Sequence, residues 1–105
     1  VAQKPKIVAT LRAFALWCPG EKVVTWGHRN FGGDSSKVQE KLKNVQEIYA
    51  TQAAFAAILV DGSVVTWGDP SFGGESIRVR DKLRNVQRIC ATESSFAAIL
   101  ADESV

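Results

Sequence analysis

A block of sequence returns after 41 residues, and this periodicity constrains the fold more than any other feature of the chain. Val23-Val24-Thr25-Trp26-Gly27 comes back as Val64-Val65-Thr66-Trp67-Gly68. Phe31-Gly32-Gly33 comes back as Phe72-Gly73-Gly74, and Asn44-Val45-Gln46 as Asn85-Val86-Gln87. Phe55-Ala56-Ala57-Ile58-Leu59 recurs as Phe96-Ala97-Ala98-Ile99-Leu100, and Ile7, Ala9, Thr10 and Phe14 match Ile48, Ala50, Thr51 and Phe55. A period of this length belongs to arrays of stacked supersecondary units. The division is a tail at 1–6, repeat 1 at 7–47, repeat 2 at 48–88 and a partial repeat 3 at 89–105, all within one structural domain.

Within one unit the hydrophobic period is that of strands. Val45 to Thr51 alternates, Ala54 to Val60 is a second apolar strand, and Val64 to Trp67 is a third, rich in β-branched residues. Asp61-Gly62 predicts a tight hairpin with a type I′ turn. Gly27 and Gly68 are expected to end the third strand. The period then lengthens. Ser36, with Gln39 three residues on, predicts a short helix, capped as in a capping box, or a turn; Val38 and Leu42 share a face, and a left-handed Asn44 ends the segment. Val79, Leu83 and Asn85 repeat the pattern. The expected fold is mainly β: tandem three-stranded antiparallel meanders, blade-like, with short helices between them, in an incomplete β-propeller-like array.

A three-stranded sheet buries too little to stand alone, so each unit is expected to lean on the next. Phe55, Phe96, Trp26 and Trp67 are the expected packing residues between sheets, with Leu42 and Ile58. Trp17 stands where the other copies have Ile58 and Ile99. Because end units of an array need a cover, Trp17 is expected either to close the open end of repeat 1 or to anchor a partner.

These residues resemble the repeats of the regulator of chromosome condensation family. The resemblance rests on Asn44-Val45-x-x-Ile48-x-Ala50, Phe55-Ala56-Ala57-Ile58-Leu59, Asp61-Gly62-Ser63-Val64, Trp67-Gly68 and the Phe72-Gly73-Gly74 loop. It implies β-propeller blades. The chain departs from the family in carrying Thr10, Thr51 and Thr92 after the alanine, where the family has Gly. It also has Phe55 and Phe96 where His is common, and its repeats are shorter. About seven blades are needed to close such a ring. The family's nucleotide exchange on a small GTPase is therefore the alternative implied by resemblance alone.

Chemistry-bearing patterns are sparse. His28, the one histidine, matches Asp69 and reads as an exposed loop residue. Asp34 and Glu75 precede the expected helices, where carboxylates favour the positive helix end. Cys18 and Cys90 replace apolar residues of the other copies and read as buried thiols. No catalytic, cofactor-binding or metal residues are assigned, and an enzyme is not expected. Arg78, Arg80 and Arg84 form a basic stretch with Lys82 and Arg88, a solvated face or a surface for an acidic partner. The net charge of +2 and the lack of interleaved aromatics point away from nucleic acid.

The apolar run Ala53 to Val60 is of strand length, so no transmembrane segment is expected, although peripheral attachment to a membrane complex is compatible. With no Met anywhere, the chain reads as a processed product or a fragment, and an organellar leader would already be gone. The expected role is a non-catalytic protein-interaction or structural module, an accessory subunit whose open blade edges are covered by a protein partner or another chain.

Overall fold

A computed structural model describes residues 5–18, 22–72 and 86–100. Its strands are β1 (Lys6–Ala9), β2 (Ala13–Trp17), β3 (Val24–Gly27), β4 (Val45–Ala50), β5 (Ala54–Leu59), β6 (Val64–Gly68), β7 (Val86–Ala91) and β8 (Phe96–Leu100). They form antiparallel sheets in the orders β1-β2-β3, β4-β5-β6 and β7-β8. Two tandem meanders are therefore present, followed by the β7-β8 pair, and β4 and β7 begin ahead of the repeat boundaries read from sequence. Lys6, assigned to the tail from sequence, belongs to β1. The second expected helix lies outside the described residues.

The register repeats with the sequence. Ala9 pairs with Phe14 and Phe14 with Trp26; Ala50 pairs with Phe55 and Phe55 with Trp67; Ala91 pairs with Phe96. A bulge at Gln46 recurs at Gln87. Because side chains alternate across a strand, each sheet has two faces of different composition. Phe55, Ala57, Ile48, Val65 and Trp67 face repeat 1, where they meet Ala13, Ala15, Trp17, Val23 and Leu42. Ala56, Ile58 and Val64 face the other way, onto Val86 and Ile89, with Tyr49 and Phe96 at the margin. β5 thus lies between two neighbours and is buried over almost its whole length.

Backbone hydrogen bonds stitch the sheets together at their first turns. Leu11 N–H donates to Gln52 O at 2.9 Å, and the equivalent Gln52 N–H donates to Glu93 O at 3.0 Å. The threonines that recur at the first turn of each sheet have a structural task. Thr10 Oγ1 donates to Phe31 O, and Thr51 Oγ1 donates to Phe72 O, both at 2.7 Å. Each ties the first turn of its sheet to the loop that follows its third strand. Gly27 and Gly68 share a φ of +111°, and a Cβ on either would run into the backbone of that turn, at Arg12 O or Ala53 O. The close approach lets His28 N–H reach Arg12 O and Asp69 N–H reach Ala53 O, each at 2.9 Å.

Two local expectations are corrected. The Asp61-Gly62 turn is not type I′, because only Gly62 has positive φ. Ile58 pairs with Val64, Leu59 N–H donates to Ser63 O and Gly62 N–H donates to Leu59 O. That is a three-residue loop with a left-handed glycine, which Asp-Gly suits equally well. Asp61 Oδ1 steadies it by accepting from Ser63 N–H and Oγ–H at 2.9 and 2.6 Å.

The segment from Ser36 holds no α-helix, only turns and a 3-10 turn at Gln39–Lys41. Ser36 caps nothing. Its N–H donates to Asp34 Oδ1, while Gln39 Nε2 donates to Ser35 Oγ and to Val23 O. So short a segment gains too few helical bonds to offset nucleation, and side-chain bonds to its neighbours prevail. Leu42 is nevertheless buried, Val38 packs beside it, and Asn44 takes φ +56° as expected.

Candidate interaction face

Phe55 and Trp67 define what an occupied face looks like. Their rings stack with centroids 5.2 Å apart, at 0% and 4% exposure. The Gly-Gly loop of repeat 1 closes over them. Trp67 Nε1–H donates to Gly32 O at 3.1 Å, and a Cβ on Gly32 would sit 2.5 Å from the Phe55 ring. Gly32 is thus glycine for two reasons, contact with the ring and a φ of +96°.

The same pair in repeat 1 has no such cover among the described residues. Phe14 and Trp26 stack at 5.3 Å and 23°, and they remain 42% and 43% exposed. Ile7 and Val24 on the same face are exposed as well, and Leu16 is half-buried. Cross-strand register places Ile7 opposite Leu16, Ala9 opposite Phe14, and Leu16 opposite Val24. The outward face of β1-β2-β3 therefore carries Ile7, Ala9, Phe14, Leu16, Val24 and Trp26, with no charge among them. Isolated exposed apolar residues are ordinary, but a contiguous apolar sheet face marks a contact surface.

Trp26 is accordingly corrected: it stacks within its own sheet and is not buried between sheets. Trp17 is corrected in the opposite sense. It is 2% exposed and faces repeat 2, so it neither closes the open end nor reaches a partner. Its parity explains this. Trp17 lies three residues from Phe14 on one strand, which puts it on the other face. Its Nε1–H is buried without an acceptor among the described residues.

Phe55 and Trp67 are buried against repeat 1, Phe96 is half-buried beside the Ala56 and Ile58 cluster, and Gly27 and Gly68 end β3 and β6 with φ +111°. The basic trio Arg78, Arg80 and Arg84 lies outside the described residues. An open end of repeat 1 is expected from sequence, but with Trp17 on it; the residues that form it, Phe14 and Trp26 foremost, are not singled out for it. Phe14 and Trp26 match Phe55 and Trp67, and repeat 1 has no earlier sheet among the described residues to meet them.

The remaining candidates supply little chemistry. His28 is exposed; its Nδ1 accepts from Asn30 N–H at 3.1 Å and its ring meets Phe31 edge-on. Hydrogen bonds from Ser36, hydroxyl first and backbone second, hold the exposed Asp34 carboxyl below its ordinary pKa. The Lys6–Glu47 ion pair, at 3.2 Å between β1 and β4, is exposed and weak. Cys18 is half-buried, Cys90 is exposed contrary to expectation, and no disulfide joins them.

An open groove of about 530 Å³ runs along the first turns of the three sheets, past Thr10, Thr51 and Thr92. The Thr10 and Thr51 hydroxyls lining it are already committed to backbone carbonyls. Among the described residues no cluster of three or more His, Cys, Asp or Glu could hold a metal ion, and no helix is long and apolar enough to cross a membrane.

No protein-family model matches the chain, and no curated protein is detectably similar to it in sequence.

Proposed function

We propose that this chain is a non-catalytic protein-interaction or structural module that acts inside a larger assembly. One observation carries the reading. The outward face of β1-β2-β3 is apolar from edge to edge and holds a stacked Phe14–Trp26 pair that is more than two-fifths exposed. Soluble surfaces rarely leave such a face bare, and its aromatic residues are of the kind that dominate binding energy at interfaces. The tandem blade pattern also supports, for the fold alone, the resemblance to regulator of chromosome condensation repeats.

The test is the mass of the natively purified material, by sedimentation and by intact-mass measurement of whatever travels with it. A stoichiometric complex that dissociates when Phe14 and Trp26 are both changed to Ser is the expected result. A stable, compact particle holding a single copy and nothing else, at micromolar concentration and physiological salt, would refute the proposal.

A further inference from the structure

The outward face of repeat 1 has a covered counterpart in the same molecule. Its residues Ile7, Ala9, Phe14, Leu16, Val24 and Trp26 correspond, one period later, to Ile48, Ala50, Phe55, Ala57, Val65 and Trp67. Five of these six pairs are identical. The second set packs against a neighbouring blade, which presents Ala13, Ala15 and Trp17 from its sheet together with Gly32 from its loop. The backbone matches too. Both aromatic pairs stack at nearly one separation, 5.3 and 5.2 Å. Both following glycines have φ +111°.

From this equivalence we infer that the face is a seat for one further blade of this 41-residue repeat. Two alanines flanked by a large apolar residue on that blade's sheet cover Phe14. A Phe-Gly-Gly loop from it lays its first glycine on the Phe14 ring and accepts the Trp26 indole N–H on that glycine's carbonyl. The seat is selective in a way that a plain apolar patch is not. The indole N–H makes no hydrogen bond among the described residues and calls for a backbone acceptor. The Phe14 ring leaves room for a residue without a Cβ. The stitching at the first turn is likewise open: Leu11 N–H is used by Gln52 O, so the next link in that ladder is Leu11 O, which would accept from the added blade.

This assignment rests on the interaction-module reading and names the kind of partner. It is tested on the full chain lengthened by one repeat, with a copy of residues 7–47 placed ahead of Ile7 so that the new junction repeats the Glu47–Ile48 step. Uniform 5-fluorotryptophan labelling gives one fluorine line per indole, assigned by single Trp→Phe changes, and circular dichroism confirms folding. In the parent chain the Trp26 line shows a full solvent isotope shift, whereas the Trp17 and Trp67 lines show little.

In the lengthened chain the original Trp26 line loses its shift, the exposed line now belongs to the added copy, and the melting temperature rises. A Gly32→Ala change in the added copy alone restores the shift. A second lengthened chain, with a copy of residues 48–88 ahead of Ile7, guards against an accident of one donor. A folded lengthened chain in which Trp26 keeps its full shift overturns the assignment. So does the failure of both lengthened chains to fold, because a true seat would not turn an added blade into a disruption. A partner of another fold that buries Trp26 in native material, while the lengthened chains leave it exposed, overturns the blade assignment and leaves the interaction reading intact.

Discussion

Two tryptophans separate packing from hydrogen bonding at the level of single side chains. Trp17 and Trp67 are both buried against the same cluster, but Trp67 gives its indole N–H to Gly32 O while the Trp17 indole N–H has no acceptor among the described residues. Trp→Phe removes similar volume at each site. At Trp67 it also strands a buried carbonyl, which costs about 1–3 kcal/mol, whereas at Trp17 it removes an unsatisfied donor. Urea unfolding should therefore show Trp67→Phe to be the more destabilising by at least about 1 kcal/mol; equal losses would mean that the indole bond contributes nothing.

Gly32→Ala is a second test at this scale. The left-handed φ and the Phe55 ring both oppose a Cβ, so a loss of about 1–3 kcal/mol is expected by the same measurement. Asp61 gives a pH signature. Ser63, through its hydroxyl and then its backbone N–H, lowers the Asp61 pKa from the ordinary 3.8. A depressed folded-state pKa contributes stability above the unfolded value and loses it as pH falls through the folded value. Asp61→Asn should flatten that acid limb of the stability curve below about pH 4 and, at neutral pH, lose the stability that the ionised carboxylate contributes there.

Strand identity was readable because the copies could be compared: Val45 to Thr51 alternates, and Ala54 to Val60 is an unbroken apolar run of strand length. β4, β5 and β6 fall where Val45, Ala54 and Val64 begin their runs. The connections were less readable because their sequence signals are shared by different structures. Asp-Gly serves a type I′ turn and a three-residue loop alike, and Ser36 with Gln39 imitates a capping box in a segment too short to nucleate. The threonine ties were invisible, since Thr51 and Phe72 stand 21 residues apart and meet only in the folded sheet. They should matter at the scale of the element. Thr51→Val keeps the shape and removes the bond to Phe72 O, at about 0.5–1.5 kcal/mol. Amide exchange at Ser71 and Phe72 should quicken while the β5 amides keep their protection. Uniform acceleration across β5 would show instead that Thr51 supports the whole sheet and not the loop.

Across the whole molecule, the stack distributes the same residues into unlike environments. Phe14 and Phe55 occupy one position of the repeat, pair with equivalent tryptophans and differ in what lies over them. The hydrophobic contribution follows the area removed from water, so equivalence in sequence does not mean equivalence in energy. Phe55→Ala should cost about 3–5 kcal/mol in the isolated chain, as expected for a phenylalanine lost from a filled core. Phe14→Ala should cost well under half of that, because much of its ring is already in water. Both are measured on the chain alone, by urea unfolding at low concentration with β5 amide exchange as a check on global opening. Covering the outward face should then raise the Phe14→Ala cost toward the Phe55→Ala value and leave the latter nearly fixed. A Phe14→Ala cost as large as that of Phe55→Ala in the uncovered monomer would show that the outward face is already packed against something within the chain, and the case for a vacant contact surface would fail at its first premise.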